Sequence, residues 1–108
     1  MDVRWDSVRT GWPSHLNLQR IVSAFTRSDR VATFKIGICG DPEGRATGYS
    51  GTYDEMVVLY ETWSERFVRD TERFLSDYYW DVCDNSIRGG GGRLSGPPYY
   101  LYVVLRRW

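Results

Sequence analysis

The chain is short of several things that catalysis and targeting commonly use. Its 108 residues include one histidine, His15, two cysteines, Cys39 and Cys83, and one lysine, Lys35. A single histidine leaves Ser/His/Asp and Cys/His nucleophilic schemes, and multi-histidine metal sites, without their parts. At a helix start, His15 reads as a surface or capping residue. Two cysteines far apart in sequence make no metal motif and read as buried, reduced thiols. No apolar signal core follows Met1, and the longest apolar runs fall far short of a membrane span, so a cytoplasmic protein is expected. Net charge is absent too, because fourteen basic and fourteen acidic residues cancel. No global positive field therefore draws the chain onto DNA or an acidic membrane. Any contact with nucleic acid would be local, or shared across an oligomer.

What is present is a folded composition: 42% apolar and 16% aromatic residues, enough for one core and too short a chain for two. A single domain over residues 1–108 is expected. The basic residues are almost all arginine, whose planar fork suits carboxylate and phosphate oxygens, although a genomic base bias accounts for the same usage.

The apolar periodicity divides the chain into elements, and there is no internal repeat. Residues 1–13 read as an N-terminal arm carrying Trp5 and Trp12. Ser14 is a candidate N-cap, and Leu18, Ile21, Val22 and Phe25 recur at helical spacing, predicting a helix from about His15 to Arg27. Val31 to Cys39 alternates, with Phe34, Ile36 and Ile38 on one face and Thr33, Lys35, Gly37 and Cys39 on the other, as a strand does. Gly37 marks a close approach to the backbone. Asp41-Pro42-Glu43 supplies a cap, a first-turn proline and an acid, so a short helix carrying Arg45 begins there.

Glu55 to Thr62 holds an uninterrupted apolar run, which suggests a central strand. Thr62 and Glu65 stand at capping-box spacing ahead of a long helix from about Ser64 to Cys83. Residues 86–98 form a glycine- and proline-rich loop, and Tyr99 to Leu105 reads as a last strand. The expectation is an α/β (α+β) fold: a small three-stranded sheet packed with an N-terminal helix, a short helix and one long helix.

Glu72 falls at the edge of the face that the long helix buries, so its carboxylate needs a partner, either an arginine such as Arg45 or a divalent cation. Arg45 follows the strand bearing Gly37 and suits a phosphate contact or a salt bridge equally. Asn85 ends the long helix as a cap or turn residue. Arg88 and Arg93 bracket the glycines that include Gly90 and Gly91, so backbone N–H and guanidinium groups there could close on a phosphate, although the stretch lacks a Gly-Lys-Ser/Thr ending and reads equally as a linker. Tyr99, Tyr100 and Tyr102 are candidates for stacking on a base, or for the core and its rim.

Phe34-Lys35-Ile36-Gly37, Arg45, Glu72 and Asn85 together resemble the GIY-YIG nuclease superfamily, over roughly Thr33 to Asn85. As the resemblance implies, the glutamate holds one Mg2+ or Mn2+ ion, the arginine steadies the scissile phosphate, and a first-strand tyrosine helps activate water. No Gly-Ile-Tyr strand precedes Phe34, and Lys35 stands where the second signature has tyrosine. The C-terminal strand, with Tyr100 or Tyr102 as the phenol, could supply the first in a permuted domain. The expected function is metal-dependent phosphodiester cleavage by Arg45, Glu72, Asn85 and a C-terminal tyrosine, with Lys35, Arg88, Gly90, Gly91, Arg93 and Tyr99 as ligand-binding residues.

Its rival is a catalytically silent domain, of phage anti-defence type, that sequesters a nucleotide or cyclic nucleotide between subunits of an oligomer. A third reading is an interaction domain anchored by Trp5, Trp12, Trp63 and Trp108.

Overall fold

In a computed structural model, residues 1–85 and 94–108 are described. The elements run β1 (Asp2–Arg4), α1 (His15–Thr26), β2 (Val31–Cys39), α2 (Pro42–Tyr49), β3 (Glu55–Thr62), α3 (Glu65–Tyr78) and β4 (Tyr99–Arg107). The sheet has four strands in the order β1-β3-β4-β2, so β4 lies at its centre, antiparallel to both β3 and β2, and β1 runs parallel to β3. The three strands expected from the sequence are all there; the fourth comes from the N-terminal arm. Three residues are too few to display an alternation, and β1 is recognisable only by its pairing of Asp2, Val3 and Arg4 with Glu55, Met56 and Val57. Arg9 extends that edge, donating to Leu59 O at 2.9 Å and accepting from Glu61 N at 2.9 Å.

The alternation along β4 separates two packing layers. Leu101, Val103 and Leu105 face the larger core, with Leu18 and Val22 of α1, Val68 and Leu75 of α3, and Phe34, Ile36 and Ile38 of β2. Tyr102 and Val104 face the other way, into a smaller cluster with Cys39, Ala46, Tyr53 and Met56. Helices α1 and α3 therefore cover one face of the sheet and α2 the opposite one. A register shift between Val58 and Tyr60 turns both Leu59 and Tyr60 into the larger core, which explains the unbroken apolar run of β3.

Helix ends follow local chemistry. Ser14 caps α1 by accepting from Asn17 N at 3.1 Å. The long helix is capped by Ser64, whose hydroxyl accepts from Phe67 N at 3.1 Å, and not by the Thr62–Glu65 box; Thr62 accepts from Ser64 N instead. α3 also stops at Tyr78, earlier than Cys83, with turn bonds from Val82 N and Cys83 N to Tyr79 O closing it. Among the described residues, no helix is long and apolar enough to cross a membrane.

Candidate functional site

The α2 face of the sheet carries a set of tyrosines around the strand β2–β4 crossing. Gly37 pairs with Tyr102, whose ring and hydroxyl fill the space a side chain at Gly37 would need. Glycine at position 37 is thus a packing requirement, and the molecule that approaches its backbone is the protein's own tyrosine. The Tyr102 hydroxyl meets the Tyr49 hydroxyl at 2.7 Å, and Lys35 Nζ lies 5.8 Å from the Tyr49 ring centroid, within cation–π range. Tyr53 donates to Asp84 at 2.7 Å, and Thr33 donates to the other oxygen of the same carboxylate at 2.6 Å. Burial, helped by hydrogen bonds to Tyr49 and to Asp84, pushes the phenols of Tyr102 and Tyr53 above the ordinary tyrosine range. Both stay protonated at neutral pH, the opposite of what a phenolate base requires.

Beside this cluster, a cleft of about 440 Å³ opens between α2 and Leu94–Gly96. Cys39 and Gly40 line its base, and Asp41, Gly44, Arg45 and Gly48 its helical wall. Gly44 and Gly48 are one turn apart, and at Gly48 the wall is bare backbone beside the exposed Arg45. The Asp41 side chain makes no capping hydrogen bond, and its carboxylate stands against Gly44. The Cys39 thiol is pushed up to about 11 by burial, against the opposing pull of a backbone hydrogen bond at Asp41 and of the Arg45 charge. It is a neutral thiol at physiological pH, not a nucleophile. Arg45 also acts on the Tyr102 phenol, so the cleft and the tyrosine cluster share one electrostatic neighbourhood.

The residues singled out in the sequence divide between the two faces. Lys35, Arg45 and Tyr102 belong to the α2 face, and Tyr100 joins them, half-buried, with its ring edge-on to Trp5 at 5.5 Å. Burial and a hydrogen bond to Glu61 raise its phenol. Tyr99 points into the larger core, 7% exposed. Glu72 lies within the buried face of α3, not at its edge, and is 4% exposed. It is therefore across the sheet from Arg45, and no ion pair joins the two.

Asn85 is occupied on the backbone of β2: its Oδ1 accepts from Ile36 N at 2.9 Å and its Nδ2 donates to Ile36 O at 2.8 Å. Arg88, Gly90, Gly91 and Arg93 lie outside the described residues. The expectation that Arg45, Glu72 and Asn85 converge in one pocket is thus corrected. The physical reason is strand parity: α2 and α3 pack on opposite faces, which the order of elements in the sequence does not specify.

A magnesium or manganese ion held by one carboxylate needs room for waters and phosphate oxygens around it. The buried Glu72 does not offer that room, and among the described residues no group of three or more His, Cys, Asp or Glu side chains converges on a point. The described residues do not fit such an ion.

Sequence reasoning missed Tyr49, Asp84 and the paired glycines of α2. The spacing of Gly44 and Gly48 was the one available signal, since two glycines four apart in a short helix leave one side of it bare. In comparisons with known proteins, the chain matches no family model, no curated sequence and no solved structure.

Proposed function

We propose that this chain is a binding protein for a small phosphate-bearing ligand of nucleotide type, held in the cleft beside α2. The observation that carries the proposal is the cleft itself: about 440 Å³, with bare helix backbone at Gly48 and Arg45 as its basic side chain, which forms no ion pair among the described residues. The volume lies in the range of small-molecule sites, about 300–1,000 Å³. An arginine fork takes phosphate oxygens in pairs. The Asp41 carboxylate, four residues before Arg45, accepts hydrogen bonds, which suits a ribose hydroxyl or a base amine on the same ligand and disfavours a bare polyanion. Gly48, with open space where a side chain would stand, lets a flat ligand approach the helix backbone.

The test is thermal stabilisation and titration calorimetry with a panel of nucleotides, cyclic nucleotides and inorganic phosphate. At least one nucleotide is expected to raise Tm, Arg45→Ala to abolish the shift, and Gly48→Leu to block entry. If no member of the panel shifts Tm at millimolar concentration, or if Arg45→Ala leaves the shift intact, the proposal fails.

A second reading, a divalent-metal-dependent phosphodiesterase of GIY-YIG-like kind, draws on one observation: β4 lies antiparallel beside β2, with Tyr102 on the same face as Arg45. That reading needs Glu72 to reach an ion near Arg45, across the sheet from where it lies. Nicking of supercoiled plasmid in magnesium or manganese, lost in Glu72→Gln, would favour it over binding alone.

A further inference from the structure

The cleft beside α2 holds two charges of opposite sign that do not meet. Arg45 N donates to Asp41 O at 2.9 Å, the first backbone bond of the helix, so the two residues stand one turn apart, about 6 Å along its axis. An acid four residues before an arginine is the favourable order for an ion pair on a helix, yet among the described residues neither side chain forms one. The Asp41 carboxylate rests instead on the bare α-carbon of Gly44, where a side chain at position 44 would collide with Asp41 Oδ2.

Other carboxylates bordering this face of the sheet are engaged. Glu43 accepts from Trp5 Nε1 at 3.0 Å, Asp84 accepts from Tyr53 and Thr33, and Glu61 accepts from Tyr100. Asp41, which lines the cleft, has no such partner among the described residues. An ionised carboxylate accepts through two oxygens and donates nothing, so its match is a ligand edge with two donors side by side. Of the common bases only guanine has that edge, because its N1–H and its exocyclic amine point the same way. Adenine and cytosine set a donor beside an acceptor, and uracil sets one donor between two acceptors.

We propose that the cleft selects guanine nucleotides, with Asp41 accepting from the N1–H and the exocyclic amine of the base while Arg45 holds the phosphate. The proposal rests on the nucleotide reading above and narrows it. The lining favours the base over the ribose as the group beside Asp41. Cys39 is a neutral thiol, Gly40 is bare backbone and Leu94 is apolar, a surface that suits a flat purine and would leave the oxygens of a sugar unpaired. With the base at the strand end of α2 and the phosphate one turn on, a single ligand following the helix satisfies both charges.

Titration calorimetry on the full chain with GMP, IMP, XMP and AMP tests this, since the four share ribose and phosphate and differ only on the purine ring. The wild-type protein is expected to bind GMP best, IMP less well for want of the amine, and AMP and XMP at least about 10-fold more weakly than GMP, the discrimination a bidentate pair supplies. Asp41→Asn keeps an equally good N-cap residue, so the helix is retained, and melting curves check that it is. Its amide donates where the carboxylate accepted, which suits the xanthine oxygen that replaces the guanine amine. The variant is therefore expected to invert the order and bind XMP at least about 10-fold better than GMP, an inversion that a purely structural role for Asp41 could not produce. Equal affinity for all four, or a guanine preference that survives in Asp41→Asn, would overturn guanine selection and leave the nucleotide reading standing. Failure of all four to bind the wild-type protein at millimolar concentration would overturn guanine selection as well, and only a response to other members of the wider nucleotide panel would then rescue the nucleotide reading.

Discussion

At the scale of single residues, the two cysteines make a sharp contrast. Cys39 is 2% exposed, with its thiol pushed up to about 11, whereas Cys83 is half-buried and raised less. Thiolate is the reactive form, so at pH 8 iodoacetamide is expected to label Cys83 of the native protein and spare Cys39 until denaturant is added. Peptide mass mapping reads this directly, and equal labelling of both would contradict the packing around Cys39.

Asn85 offers a second test at this scale. Replacing it by alanine strands the Ile36 N–H and C=O, at a cost of about 1–3 kcal/mol in unfolding free energy. Asn85→Asp keeps the acceptor and loses the donor, so it too is expected to destabilise. A catalytic asparagine would instead lose activity at unchanged Tm. Gly37→Ala drives a methyl into the Tyr102 ring, and about 1–3 kcal/mol is again expected from overpacking. Tyr102 is the neighbour that would have to move, and with it the hydroxyl contact to Tyr49.

At the scale of elements, the helix starts were largely written in the sequence and the layering was not. Asp41-Pro42-Glu43 announces α2 because its pieces act locally: a fixed φ, a missing N–H and a first-turn acid. The alternation of β2 is equally local, and Phe34, Ile36 and Ile38 share a face as their spacing says. Local chemistry failed where two caps competed. Thr62 matched the pattern, but it still belongs to β3, and the turn places Ser64 at the helix start. Ser64→Ala is expected to cost about 1 kcal/mol and Glu65→Ala less, as measured by urea unfolding.

Glu72 was legible as a boundary carboxylate but not as a buried one. The arc buried by α3 includes Val68, Thr71, Glu72, Leu75 and Ser76, and its width depends on α1 packing beside it. Which face of the sheet α3 would take, and hence its separation from Arg45, is a long-range outcome of the β4 insertion between β3 and β2. No window of sequence contains that.

At the scale of the whole molecule, burial of titratable groups sets an alkaline limit. Cys39, Tyr53 and Tyr102 all have folded-state values above their ordinary ones, and each is neutral when protonated. Their contribution to stability is complete below about pH 9, where the thiol titrates in an unfolded chain, and declines as pH rises through about 11, because the unfolded state then releases protons that the native state retains. Melting temperature is expected to be flat from pH 7 to 9 and to fall above it. Tyr102→Phe removes one of the phenols and is expected to make the fall shallower.

The amide of Asn85 has a further bearing on behaviour at high concentration. Strand β2 ends the sheet on its side, and among the described residues its outer rim is clasped by this side-chain amide and by the bond from Asp84 N to Phe34 O. Strip that clasp away and the outer edge of a nine-residue strand that carries Val31, Thr33, Phe34, Ile36 and Ile38 offers its free donors and acceptors to any extended peptide nearby. A chemically aged sample in which the amide has become a carboxylate would then seed fibrillar self-association while its remaining helices still look native.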